Sequence, residues 1–144
     1  MILIYVDSNY WIYWLDSRLP EHKYVLEPVR RAISTGIVMN YVTLLEVAHH
    51  IRNLPKSEFL ETLEKIQNLS TLSMKDLDSE TARLGLELLS DYASKGLGSR
   101  DCIIVATMQL ANAKRILTHD RAFSHVKGIV VEDTIPSEAI EQAK

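Results

Sequence analysis

The sequence has a single cysteine among its 144 residues, so no disulfide can form within the chain. That residue, Cys102, lies inside an apolar stretch, the setting of a buried and inert thiol in a reducing compartment. Five glycines and four prolines leave no flexible linker, repeat or low-complexity tract. Long hydrophobic runs are also missing. The opening stretch Met1–Val6 has no basic flank and stops at Asp7, too short for a signal peptide or a membrane span. Charge of one sign is not in excess: 16 Lys and Arg against 19 Asp and Glu give a net −3, which advertises no strong non-specific polyanion binder. No glycine-rich phosphate loop, nucleophile elbow or zinc-binding cysteine pair occurs, and Gly96 and Gly98 are not followed by the Lys-Ser or Lys-Thr of a P-loop. A soluble, cytoplasmic protein with no membrane contact is expected.

What is present is ordinary globular composition, 47% apolar and 24% charged, in a length suited to one domain over residues 1–144. Ile2–Val6 is a continuous apolar run, the pattern of a strand buried on both faces. Ile37–Asn40, Thr71–Met74, Arg115–Thr118 and Ile129–Val131 supply further short strands. Between them run helical patterns: Tyr10–Leu15, capped by Ser8 or Asn9; a helix through Val25, Val29, Ala32 and Ile33, with Pro28 as a kink or restart; and one opened by Thr43. Others pass through Phe59, Leu60, Leu63 and Ile66, and from an Asp78 cap through Leu84, Leu88, Leu89 and Tyr92. Ser99 is expected to cap a helix that is apolar almost all round from Cys102 to Ala106, and Ser137–Ala143 to form a terminal helix. Strands alternating with helices predict an α/β fold, a three-layer α/β/α arrangement around a parallel, roughly five-stranded sheet. Ligands of such sheets bind beyond the carboxyl ends of the strands, and Asp7 and Asp120 fall there.

Each candidate acid has a plain structural alternative. Asp7 could cap a helix, although Ser8 and Asn9 could do so without placing charge at a core edge. Thr43 and Glu46 have the spacing of a capping box, in which the glutamate folds back onto a backbone amide. Asp101 could be a partner of its helix dipole, worth about 0.3–1 kcal/mol, with Arg100 either a phosphate contact or, the favoured reading, a solvated neighbour. Thr118-His119-Asp120 could be a strand-end turn. Together, four acids at the functional ends of a parallel sheet favour a shared site. His49 and His50 follow Glu46 at helical spacing, but the di-iron motif that this suggests needs a second copy, and none is found. Tyr10, Trp11, Tyr13 and Trp14 read as core and partner surface, and Arg18, Lys23, Arg30 and Arg31 as a solvated helix face. A haloacid-dehalogenase-like phosphatase would need an aspartate where Asn9 stands.

Asp7 after the first strand, Glu46 in Thr-Leu-Leu-Glu-Val, Arg100-Asp101-Cys102-Ile103-Ile104-Val105-Ala106-Thr107 and Thr118-His119-Asp120-Arg121-Ala122-Phe123 together resemble a PIN domain. The similarity runs from Ile2 to about Val131 and is strongest to the stand-alone ribonucleases that act as toxins of VapBC toxin–antitoxin pairs. The resemblance implies an RNA-cleaving enzyme that uses Mg2+ or Mn2+ and leaves a 5′-phosphate and a 3′-hydroxyl. It further implies a homodimer and a small antitoxin partner whose tail enters the active groove. Asp7, Glu46 and Asp101 match the three most regular acidic positions, Asp120 the fourth, and Thr118 the hydroxyl residue two places before it. His119 matches no fixed family feature and is given no role. An RNA-processing nuclease outside a toxin pair and a non-catalytic scaffold that binds RNA or protein are the alternatives.

The acids explain the cation. Two carboxylates about 4 Å apart repel by roughly 4 kcal/mol at an effective dielectric near 20. Oxygen ligands suit Mg2+ or Mn2+ better than zinc. Without a counter-ion, neutralising Asp7 or Asp101 is expected to stabilise the metal-free protein.

Overall fold

In the computed structural model, which describes residues 2–137, five parallel strands lie in the order β3-β2-β1-β4-β5. The strands are β1 (Ile4–Val6), β2 (Ile37–Asn40), β3 (Leu72–Lys75), β4 (Arg115–Leu117) and β5 (Val130–Glu132). The helices are α1 (Ser8–Leu15), α2 (His22–Thr35), α3 (Tyr41–His50), α4 (Lys56–Gln67), α5 (Ser79–Tyr92) and α6 (Ser99–Leu110), with a 3-10 turn at Arg121–His125. All of the helix expected over Ser137–Ala143 except its first residue lies outside the described residues.

Side chains alternate across each strand, and both faces of the sheet are covered. Tyr5, Val38 and Ile116 point to one face, where they pack with Cys102, Ile104, Val105 and Met108 of α6 and with Phe123. Val6, Ile37, Met39 and Leu117 point to the other, against Trp11 of α1, Val25 and Val29 of α2, Val47 of α3 and Ile66 of α4. The expected three-layer α/β/α arrangement is found. Cys102 is buried, and burial pushes its thiol upward in pKa, the inert state expected of it.

The helix starts depart from expectation in an informative way. Asn40, not Thr43, opens α3: its side-chain oxygen accepts the Val42 N–H at 3.0 Å while its amide donates to Thr107 Oγ1 and the Asp76 carbonyl. Thr43 is buried, and its hydroxyl lies 2.6 Å from the Tyr5 hydroxyl, so no Thr43–Glu46 capping box forms. Gly98, not Ser99, is the cap of α6. Asp7 itself caps α1, where Ser8 or Asn9 was expected.

Pro28 neither breaks nor restarts α2, which runs through it. Lacking an N–H, Pro28 leaves the Tyr24 carbonyl without its helical donor. Thr134 Oγ1 supplies one instead at 2.7 Å. Next to it, Tyr10 is fully buried; its hydroxyl donates to Asp133 Oδ1 at 2.8 Å and accepts the Thr134 N–H at 2.7 Å. Burial pushes the Tyr10 hydroxyl up to about 12. Tyr10 and Trp11 are therefore core residues, as expected of that cluster.

The Tyr5 hydroxyl also accepts the backbone N–H of Asn40 at 3.1 Å inside the fully buried sheet edge. Tyr5→Phe strands that amide and the Thr43 hydroxyl without water. The expected loss is about 1–3 kcal/mol, read from urea unfolding, whereas a change within a few tenths would show the amide to be otherwise satisfied.

Candidate active site

Three of the four candidate acids converge on one cation of the chain itself. Arg100, in the first turn of α6, places Nη1 3.3 Å from Asp7 Oδ1 and 2.8 Å from Glu46 Oε1, and Nη2 2.9 Å from Asp101 Oδ1. Arg100 is thus not the solvated neighbour expected. It is the counter-ion of the cluster, half withdrawn from water. Burial alone would lower its pKa, but the charges of Asp7, Glu46 and Asp101 more than offset that and hold it above the ordinary value.

Local structure fixes each acid. Asp7, with no exposed surface, sits where β1 passes into α1. Its Oδ1 accepts the Ser8 N–H at 2.7 Å, and its Oδ2 accepts the Thr118 hydroxyl at 2.7 Å. Glu46 lies one turn into α3, where its Oε2 accepts the Ser8 hydroxyl at 3.0 Å. Its Oε1 is buried without an aligned hydrogen bond and touches Arg100 as an ion pair only. Asp101 lies in the first turn of α6, its Oδ2 accepting the Gly98 N–H at 3.3 Å, so the helix-start role is real as well. Asp120 caps the 3-10 turn through the Ala122 N–H at 2.9 Å and makes no contact with Arg100 among the described ion pairs. It lies near enough for its charge, with that of Asp7, to raise the Asp101 pKa.

Thr118 ties the two strand ends together. Besides donating to Asp7, its oxygen accepts the Asp120 N–H at 3.0 Å and the Asn9 amide at 3.3 Å. Asn9 also donates to Asp7 Oδ2 at 3.5 Å and accepts the His119 N–H at 3.3 Å. Ser8 and Asn9 are site neighbours that the sequence did not single out for the site, and the role of Arg100 as counter-ion was not foreseen. Ser8 and Asn9 directly follow a strand-end acid, which was the available signal; Arg100 had none beyond adjacency to Asp101. The His119 ring turns to Asp133, with Nδ1 2.7 Å from Oδ2. His50 lies 3.5 Å from Asp16.

The donor set is all oxygen and suits a hard divalent cation. Among the described residues, no three His, Cys, Asp or Glu side chains stand ready as a metal cage. Asp7, Glu46 and Asp101 are instead each paired with the Arg100 guanidinium. The residues fit a cation, and a cation already sits among them.

A parallel α/β/α sheet with acids gathered at its carboxyl edge defines the class. The chain belongs to the PIN-domain family, whose model matches residues 4–129. Solved structures share the fold. The DNA-bound VapBC of Salmonella typhimurium aligns at TM-score 0.70 and 22% identity, covering 92% of this chain and 98% of that one. VapBC2 of Rickettsia felis, bound to a promoter DNA fragment, aligns at 0.69 and 18%, with the same coverage. VapC20 of Mycobacterium tuberculosis, described as a toxin that cleaves the sarcin-ricin loop, aligns at 0.68 and 13%, covering 84% and 92%. No curated protein sequence matches. Among the described residues, no helix is long and apolar enough to cross a membrane.

Two predictions follow from Arg100 and its partners. Because a counter-ion is present, neutralising Asp7 no longer relieves an uncompensated repulsion. Asp7→Asn keeps an oxygen for the Ser8 N–H but loses one arm of the ion cluster and the oxygen that accepts the Thr118 hydroxyl, so the metal-free protein should lose about 1–3 kcal/mol in chemical unfolding. A gain would show that repulsion dominates after all.

Burial first, then the charges of Asp120 and Asp7, raise the Asp101 carboxyl above 3.8 despite Arg100. Its protonated form is thus favoured by folding. The stability it contributes is complete below 3.8 and is lost as pH rises through the raised folded value. Carboxyl 13C NMR in chelator should place the Asp101 midpoint above 3.8, and a midpoint below it would contradict this site electrostatics.

Proposed function

We propose that this PIN-domain protein is a VapC-like endoribonuclease in which Asp7, Glu46, Asp101 and Asp120 hold Mg2+ or Mn2+ beside the scissile phosphodiester. The observation that carries this reading is the convergence of Asp7, Glu46 and Asp101 on one positive group, from three segments far apart in the chain. A fold holds acids against each other in this way when positive charge is to be bound there.

Asp7 and Asp101 are the direct ligands in this reading, each oriented by a fixed donor on its second oxygen. Glu46, the most exposed of the three at 34% of its side chain, is a ligand or positions a water. Asp120 completes a looser second position, and Thr118 keeps Asp7 and the Asp120 backbone in register. When bound, such ions lower the pKa of a water and stabilise charge on the attacked phosphate. The neighbours named VapBC support a toxin role with a small antitoxin as partner, and a homodimer belongs to the same reading. The compartment proposed is the cytoplasm, where RNA is met.

One observation favours a second reading. Arg100 occupies the carboxylates, as it would in a scaffold that binds RNA or protein without cutting. An RNA-processing nuclease without an antitoxin is distinguished by its gene context: a small upstream reading frame whose product suppresses cleavage marks the toxin.

The deciding experiment incubates purified protein with total RNA and Mn2+ or Mg2+, with and without EDTA. Cleavage that EDTA abolishes is expected. Asp7→Asn and Asp101→Asn should each lower it by about 100-fold or more, and Asp120→Asn by less. Intact RNA under every condition would leave the scaffold standing, and full activity in Asp101→Asn would overturn the carboxylate assignment.

A further inference from the structure

We propose that Arg100 is a built-in cation surrogate that competes with the divalent ion for Asp7, Glu46 and Asp101, and that a nucleic-acid phosphate draws it away. Metal and nucleic acid then bind cooperatively. This inference rests on the metal-binding reading above.

The competition follows from how the carboxylate oxygens are shared out. Asp7 Oδ2 is taken by the Thr118 hydroxyl, Glu46 Oε2 by the Ser8 hydroxyl and Asp101 Oδ2 by the Gly98 N–H. The other oxygens, Asp7 Oδ1, Glu46 Oε1 and Asp101 Oδ1, are those on Arg100, and of these Asp7 Oδ1 also accepts the Ser8 N–H. Glu46 Oε1 has no other polar partner, although it is buried. An incoming ion must claim oxygens that the guanidinium holds, and the two positive groups exclude each other there. Deprotonation offers Arg100 no exit, since a guanidinium stays charged.

A way out exists for the side chain. Arg100 is 32% exposed and lines a groove of about 660 Å3 with Ile12, Leu45, His49 and Arg52. Swinging into that groove disturbs no core residue. Of the groove's charged side chains Arg52 and Arg100 are basic and Glu46, already paired with Arg100, is acidic; an anion that enters meets the two arginines, and a phosphate matches the guanidinium fork in two hydrogen bonds. Whatever holds Arg100 in the groove frees the carboxylates, and whatever fills the carboxylates frees Arg100 for the phosphate. By linkage the two effects are equal in size.

The test is calorimetric titration of Mn2+ into metal-free protein: wild type, Arg100→Met and Arg100→Lys, each with and without a short single-stranded DNA checked to stay intact. Arg100→Met should bind Mn2+ about tenfold more tightly than wild type. DNA should tighten Mn2+ binding of wild type by a similar factor and that of Arg100→Met hardly at all. Arg100→Lys keeps the charge without the fork and should fall between; if the methionine variant does not fold, the lysine variant must still bind more tightly than wild type. Wild type that binds Mn2+ as tightly as either folded variant, or DNA that tightens all of them equally, overturns the competition alone. No Mn2+ uptake by any of the proteins removes the metal-binding reading and this inference with it.

Discussion

A single guanidinium organises the carboxyl edge of this sheet. Arg100 bridges carboxylates from the start of α1, the second turn of α3 and the first turn of α6, positions 93, 54 and one residue away from it in the chain. Two of the helices, α1 and α3, start directly after β1 and β2, and the start of α6 meets them at the same edge through Arg100. Without a positive group among the three acids, their repulsion would work against the strand register that brings them together.

Helix capping and site formation are not rivals here. Asp7 accepts the Ser8 N–H with one oxygen and the Thr118 hydroxyl with the other. Asp101 turns one oxygen back to Gly98 and the other to Arg100, and Asp120 caps the turn that follows β4. The amides that start each helix orient the carboxylate, leaving a defined oxygen for the site. An acid at such a position needs few further supports, which explains how a short domain carries a site of this complexity. Glu46 is the exception. It lies beyond the first turn and depends on Ser8 from α1 for its orientation.

The same logic marks what could be read from the residues alone. Apolar runs such as Ile37–Met39 announce strands buried on both faces, and the acids that follow β1 and β4 announce the edge where ligands bind. The fold and the place of Asp7 were legible for that reason, whereas Glu46 and Asp101 were joined to the site through the resemblance to a PIN domain. Glu46 was harder, because Thr43 at the proper spacing mimics a capping box; only the Tyr5 hydroxyl, 38 residues earlier, shows that Thr43 is engaged elsewhere. Arg100 could not be placed. A long side chain at a helix start can turn to solvent or inward, and the choice is made by partners that local spacing does not reveal. The Thr134 bond that lets Pro28 sit inside α2 was hidden for the same reason, since donor and acceptor lie 110 residues apart.

The net charge of −3 also reads differently once the site is resolved. Charge counted over a whole chain says little about the field at one groove. Four of the acids lie at the candidate site, where Arg100 already offsets part of their charge and any bound divalent ion would offset more. The groove beside them is lined by His49, His50, Arg52 and Arg100, with Glu46 its only acid. A polyanion approaching there meets a field set by these groups and by whichever cation occupies the carboxylates. The small negative total is therefore no argument against a nucleic-acid substrate, because three of the acids beside this groove are already paired with Arg100.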